Sequence, residues 1–300
     1  MRIGVDLGGS KIEIIALGDD GEVLLRERVA TPQGDYAATL RTVAELVAAA
    51  TARVGAGNTA TRVGIGIPGA ESRTSGLIKN ANSTCLIGKP FKRDLEAALQ
   101  REVRIANDAN CFALSEAIDG AGAGAQVMFG VILGTGVGGG IVIDGKVLAG
   151  ANAIAGEWGH NPLAGEHHKD VCYCGRKGCI ELYLSGPGLA RDHRRATGDV
   201  AGTVLPAAAI VARAAAGDAD CEATLQRYEV RLARALAQVI NILDPDVIVL
   251  GGGLSNIDRI YANVPRLWGE HVFSDQVVTR LLKHRHGDSS GVRGAAWLWN

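Results

Sequence analysis

Short apolar runs open the chain, each closed by turn residues. Residues 3–7 form one run, ending at Gly8-Gly9-Ser10-Lys11, and residues 12–17 form the next. Asp19-Asp20-Gly21 is a hairpin signal, and a third strand is expected over 23–29. Leu40, Val43, Leu46 and Val47 recur at helical spacing and predict a helix over 35–54. Residues 63–67 read as a buried strand ending at Pro68-Gly69, 91–100 as a helix, 103–106 as a strand and 108–119 as a helix. Leu225, Tyr228, Leu232, Leu236, Val239 and Leu243 step by three or four, so a long amphipathic helix ends before Asp244-Pro245. A buried strand over 247–250 then enters Gly251-Gly252-Gly253, with a helix predicted over 256–268. Residues 121–125 and 198–203 read as loops.

Part of this pattern occurs twice. Gly130-Val131-Ile132-Leu133-Gly134 echoes Gly4-Val5-Asp6-Leu7-Gly8. In both places a glycine turn, an apolar strand and Asp-Gly-x-Val-Leu follow, at residues 20–24 and 144–148. Two related lobes are expected, each opening with a hairpin whose turn is rich in glycine.

The chain has 300 residues, 47% hydrophobic and 21% charged, which is an ordinary globular balance and excludes a disordered chain. No apolar run approaches the roughly 18 residues of a membrane span. The start lacks a signal-peptide core because Asp6 interrupts it, so the cytoplasm is the expected compartment and no membrane partner is expected. A net charge of −1 gives no basic footprint for nucleic acid.

The chemistry is concentrated in a few places. At residues 8–11 the glycine amides can close on phosphate oxygens, with Ser10 adding a hydroxyl and Lys11 a charge. Asp6, at a strand end beside them, suits a magnesium shell, although an ordinary hairpin turn would use the same residues. Gly134-Thr135-Gly136-Val137-Gly138-Gly139-Gly140 holds five glycines in seven residues, a density that packing alone rarely requires. Gly251, Gly252 and Gly253 lie between a strand and a helix, a common nucleotide position. Asp108 sits at a strand–helix junction, as a helix cap would, and as a general base for phosphoryl transfer would. Cys172, Cys174 and Cys179 lie within eight residues and, with an upstream His160, make a closed tetrahedral zinc set. His167 and His168 are rival fourth ligands on spacing. Glu157 and Glu181 bracket that loop, either as solvated charges or as acceptors for sugar hydroxyls. Asn80 and Asn82 serve either a turn or a ligand.

Taken together, D-x-G-G-S-K, P-G, N-D-A-N, L-G-T-G-V-G-G-G, E-x-G-H and C-x-C-G-x-x-G-C-x-E resemble the ROK family of sugar kinases and sugar-responsive repressors, from Arg2 to the end. N-A-N-S-T, E-W-G-H-N-P-L, D-P-D-V-I-V-L-G-G-G and H-G-D-S-S-G-V-R-G-A-A look most like its bacterial fructokinases. The resemblance implies an α/β actin-like ATPase (RNase-H-like) fold of two lobes around a nucleotide and sugar cleft. The first lobe would hold residues 1–117 with a C-terminal helix over 286–300, and the second 118–285 with the zinc loop. It implies an ATP- and magnesium-dependent hexose kinase, fructose being the first substrate expected and N-acetylglucosamine, glucose or mannose the alternatives. Asp108 matches the catalytic base. Asn107, Glu157, His160 and Glu181 match sugar contacts, joined by Asn80 and Asn82. The phosphates match residues 8–11 and 134–136, and the adenosine residues 251–253. His160, Cys172, Cys174 and Cys179 match structural zinc ligands, which favours His160 over its rivals. A homodimer is common in the family. A repressor would need a DNA-binding segment ahead of Asp6, and a non-catalytic sugar binder would not need the phosphate turns. Two positions depart from the pattern: Ser10 replaces a common threonine, and Cys85 replaces an aromatic residue frequent in the fructokinases.

Overall fold

The computed structural model describes residues 1–55, 61–166, 170–198 and 204–300. His167, His168 and most of the loop expected over 198–203 lie outside them. The chain begins with strands β1 (Arg2–Leu7), β2 (Lys11–Leu17) and β3 (Val23–Ala30), followed by helix α1 (Tyr36–Arg53). Next come β4 (Arg62–Ile67), the short pair β5 (Ala70–Glu71) and β6 (Ile78–Lys79), and α2 (Phe91–Leu99). Strand β7 (Val103–Asn107) leads directly into α3 (Asp108–Ile118). The duplicated pattern resumes with β8 (Val127–Leu133), β9 (Val137–Ile143) and β10 (Lys146–Val147). Helices α4 (Glu181–Leu184), α5 (Gly186–Thr197), α6 (Ala207–Ala215) and α7 (Ala219–Leu243) follow. The chain closes with β11 (Val247–Gly251), α8 (Ile260–Leu267), β12 (Arg280–Lys283) and α9 (Ser290–Trp297).

The repeat is real at the level of topology. One five-stranded sheet has the order β3-β2-β1-β4-β7 and the other β10-β9-β8-β11-β12. In the first sheet β1 pairs antiparallel with β2 and parallel with β4, and β4 pairs parallel with β7. In the second, β11 runs parallel to both β8 and β12. An antiparallel hairpin beside parallel strands, reproduced strand for strand, is the arrangement of the actin-like ATPase fold. It brings the glycine turns to the carboxyl ends of parallel strands, where α/β proteins bind ligands.

The chain divides into two compact units, residues 1–124, 140–155 and 285–300 in one and 125–139 with 156–284 in the other. The sequence boundary at 117 therefore moves to 124, and residues 140–155 pass to the first unit. Gly140 shows why: a Cβ there would lie 2.7 Å from the Ala109 carbonyl and 2.9 Å from the Ala113 side chain, so this half of β9 rests on α3. In the first unit Ile3, Val5, Ile12, Ile14, Ile65 and Ile67 pack with Val43, Val47, Phe91 and Leu95. Helix α9 lies against this sheet and α3, and the approach leaves no room for side chains: a Cβ on Gly4 would strike Val292, and one on Gly294 would strike Cys111. In the second unit Tyr228, Leu232 and Leu236 of α7 are buried with Phe129, Trp268 and the whole of β11.

Two predicted helices shorten. The stretch 256–268 is a 3-10 turn (Gly253–Asn256) followed by α8, where Pro265 sits inside the helix. The C-terminal helix starts at Ser290 after a 3-10 turn (Gly287–Ser289), because the Glu116 carboxylate takes the Arg285 and His286 amides and the Ser290 hydroxyl. Among the described residues, no helix is long and apolar enough to cross a membrane.

Candidate functional site

In the first unit, β1 ends at Leu7 and β2 restarts at Lys11, so residues 8–11 form the hairpin turn. The Gly8 amide donates to the Lys11 carbonyl at 3.0 Å, and Thr31 Oγ1 donates to the Gly8 carbonyl at 2.8 Å. Gly9, Ser10 and Lys11 are exposed. Asp6, one residue before the end of β1, has its carboxyl pushed up to about 7 by burial, then by the charges of Asp108 and Glu13, with Lys11 and Arg28 opposing. Two carboxylates and a nearby third make this corner electronegative, which is the environment a hard divalent cation favours. Glu13 was missed in the sequence, although it is the one acidic position in an otherwise apolar strand. It is 1% exposed and is gripped by Arg26 Nε at 2.5 Å and Arg28 Nε at 2.7 Å.

Asp108 is the first residue of α3, directly after the parallel strand β7. The cap role falls to Asn107, whose Oδ1 accepts from the Ala109 amide at 2.9 Å while its Nδ2 donates to the Gly69 carbonyl at 3.2 Å. Asp108 also accepts from the Ala109 amide, at 2.8 Å. The two contacts together fix the backbone from which the Asp108 carboxylate projects. Asn107, expected to touch sugar, already spends both ends of its amide inside the protein. Asn80 is exposed with φ 54°, the left-handed conformation that suits a turn Asn. Asn82 is exposed too and lines a cavity taken up below.

In the second unit, the Gly134 amide donates to the Gly136 carbonyl at 3.0 Å, and the Gly186 amide donates to the Gly134 carbonyl at 2.8 Å. Thr135 is exposed at the tip. Gly251 ends β11, and Gly252 has φ 80° against the end of β8, 2.5 Å from the Leu133 carbonyl if it bore a Cβ. Residues 251–253 and 134–136 thus sit at adjacent strand ends of one sheet. Glu181 Oε2 accepts from the Val137 amide at 3.0 Å, and Oε1 lies 3.9 Å from Cys172 Sγ. That carboxylate therefore ties the glycine turn to the cysteine loop. Glu157 is exposed, immediately before the 3-10 turn Trp158–His160.

His160, Cys172, Cys174 and Cys179 bring one ligand atom each within 4.8 Å of one another. Cys174 Sγ and Cys179 Sγ are 3.6 Å apart, and Cys172 Sγ is 3.7 Å from His160 Nδ1. Tetrahedral zinc with Zn–S of about 2.3 Å and Zn–N of about 2.0–2.1 Å needs S···S of about 3.8 Å and S···N of about 3.6 Å. The donor set and its spacing fit zinc. His160 Nε2 faces away, 3.1 Å from the Tyr173 hydroxyl, a partner that residue spacing does not single out. Burial pushes the Cys179 thiol up to about 12 and raises Cys172 as well, so a cation bound here displaces protons from both. The loop is braced: the Gly178 amide donates to the Asp170 carbonyl at 3.0 Å, and Arg195 holds the Asp170 carboxylate through two contacts of 2.6 Å.

The ROK family model matches residues 2–300. The chain is 42% identical to an N-acetyl-D-glucosamine kinase of Vibrio cholerae, over 99% of each chain. It is similar to the ROK hexokinase structure from Thermus thermophilus, at 30% identity and TM-score 0.87, covering 99% of this chain and 97% of that one. A Streptomyces griseus ROK glucokinase solved with glucose and AMPPNP aligns with TM-score 0.78 at 27% identity, over 98% and 97% of the two chains.

Proposed function

The chain belongs to the ROK family, and from that premise we propose that it is a sugar kinase transferring the γ-phosphoryl group of ATP to the 6-hydroxyl of N-acetylglucosamine. The observation that carries the sugar is the full-length 42% identity to a kinase of that specificity. Fructose, favoured by N-A-N-S-T and the C-terminal motif, moves to second place. Cys85 supports the change, because it leaves open the position that an aromatic side chain fills in the related fructokinases.

Asp108 takes the proton of the 6-hydroxyl as its oxygen bonds to the γ-phosphorus and the bond to the β-bridging oxygen breaks, releasing ADP. The amides of Gly9 and Ser10 in the first unit, with the Ser10 hydroxyl and Lys11, bind phosphate oxygens, and those of Thr135 and Gly136 in the second do the same, while the Gly8 and Gly134 amides close their own turns. Gly251, Gly252 and Gly253 take the adenosine. Magnesium, when bound, neutralises phosphate charge, and Asp6 is the residue that would hold or orient its shell. Zinc, when bound, fixes the loop of Cys172, Cys174 and Cys179 and so sets the direction of His160. Glu157 and Glu181 accept from sugar hydroxyls, and His160, with Nδ1 on the zinc side, donates its Nε2–H to one. Most of the acceleration is positioning and electrostatics rather than covalent chemistry. The cytoplasm is the proposed compartment and a homodimer the proposed assembly.

The test is product identification. Phosphorus NMR and mass spectrometry of a reaction with ATP, magnesium and N-acetylglucosamine should show ADP and one sugar phosphate esterified at O6. An ester at O1, or ADP formed without a sugar ester, would refute the assignment.

A further inference from the structure

The first unit contains a cavity of about 270 Å³ whose lining includes Leu7, Gly9, Gln33, Ser83, Cys85 and Leu86. One water needs roughly 10–15 Å³ on this kind of measure, so the space admits a substituent of several heavy atoms. Among the described residues, no charged side chain lines it. A phosphate or carboxylate would therefore find no counter-ion, and a neutral group is required. Two hydroxyls on the wall are already committed: Thr31 donates to the Gly8 carbonyl, and Thr39 to the Pro32 and Asp35 carbonyls. Ser83 is different, because its Oγ is buried and has no hydrogen-bond partner. A buried orphan hydroxyl costs roughly 1–3 kcal/mol unless something bonds it.

The wall is continuous with the catalytic strand end. Asn107, beside Asp108, donates to the Gly69 carbonyl. Gly69 in turn packs on the following segment, where a Cβ would lie 2.7 Å from the Lys79 carbonyl and 3.0 Å from Ala81. Two residues after Ala81 comes Ser83, whose Oγ is 3.9 Å from the Cβ position of Gly9. The cavity thus adjoins the phosphate turn and, through residues 79–83, the base.

We propose that this cavity holds the acetamido group on C2 of the sugar, with Ser83 hydrogen-bonding its amide and Leu86 and Cys85 covering its methyl. The chemistry matches: a neutral amide with one polar end and one apolar end fits an uncharged cavity with an orphan hydroxyl and a hydrophobic wall. This inference rests on the N-acetylglucosamine reading and adds to it the residues that select the substituent.

Two substitutions test it. Cys85→Phe fills the space, and Ser83→Ala removes the hydroxyl. Each should lower the ratio of kcat/KM for N-acetylglucosamine to that for glucose, by about tenfold or more for Cys85→Phe and several-fold for Ser83→Ala. In the wild-type protein, N-acetylglucosamine should shield Cys85 from N-ethylmaleimide, read by peptide mass spectrometry, whereas glucose at equal occupancy should leave it open. The shielding experiment and Ser83→Ala decide the matter if Cys85→Phe does not fold. An unchanged ratio, or equal shielding by both sugars, in an enzyme that does phosphorylate N-acetylglucosamine would overturn the cavity assignment alone. A wild-type enzyme that does not phosphorylate N-acetylglucosamine would overturn the functional reading and the cavity with it.

Discussion

Replacing Asp6 by Asn should make the metal-free protein more stable at neutral pH, not less. The Asp6 carboxyl titrates at about 7 in the fold against an ordinary 3.8, because burial, Asp108 and Glu13 all disfavour its charge. A carboxyl whose folded pKa lies above its unfolded one carries more protons in the native state between those two values. Stability therefore falls as pH rises through that window, and the loss is complete above about pH 7. The interval from 3.8 to about 7, at about 1.36 kcal/mol per pH unit, corresponds to about 4 kcal/mol. That is a ceiling, since part of the repulsion is shared with Asp108. Asn keeps the size and hydrogen-bonding capacity of the side chain and removes the charge. The assay is urea unfolding of both proteins with a chelator present, from pH 4 to pH 8.5. Taking the difference between the two curves cancels carboxylates common to both, such as Asp119 and Asp170, whose pKa values are lowered. The proteins should match near pH 4, and Asp6→Asn should lead by about 2–4 kcal/mol at pH 8, while losing magnesium-dependent turnover. Parallel curves across this range would refute the electrostatic account of Asp6. A charge that costs stability yet persists is what a site built to meet a cation would carry.

Three other outcomes follow from the same structure. Asp108→Asn should lower kcat by about 100-fold or more with an unchanged melting curve, as loss of a general base does; near-wild-type turnover would remove Asp108 from that role. Cys174→Ser should lose stoichiometric zinc by elemental analysis and, with it, sugar binding by calorimetry, because three-ligand structural sites hold zinc weakly; a full zinc complement would contradict the ligand set. Glu116→Ala should destabilise the fold by about 3–5 kcal/mol in urea unfolding, because Glu116 is fully buried and accepts from the Ala121, Arg285 and His286 amides and the Ser290 hydroxyl; a loss below 1 kcal/mol, the scale of a single net hydrogen bond, would mean the tether is not needed.

The fold was legible where periodicity and turns carry it. The duplicated hairpin predicted two sheets of like topology, and Asp244-Pro245 marked the end of α7 closely. Long-range polar anchors were not legible. Nothing in the spacing of Glu116, Asp119, His286 and Arg293 shows that the C-terminal end of α3 is tied through them to α9 and the segment entering it. The apolar pattern overextends α8, since it starts at 256 and continues through Pro265 while the backbone does not begin its α-helix until Ile260. The cysteine loop was readable from spacing because three soft ligands in a tight loop have few other uses. The cavity was not, since Leu7, Gln33 and Cys85 are far apart in sequence and meet only after β1, β2 and the loop before α1 are folded. The sugar was the least legible feature, resting on pocket shape rather than on any chemical motif.

The most direct measurement is kcat/KM with ATP and magnesium for N-acetylglucosamine, fructose, glucose and mannose, on zinc-replete protein. The account predicts that N-acetylglucosamine leads by at least about tenfold, the discrimination that one well-filled substituent pocket provides. Fructose leading, or no sugar phosphorylated at all, would contradict it.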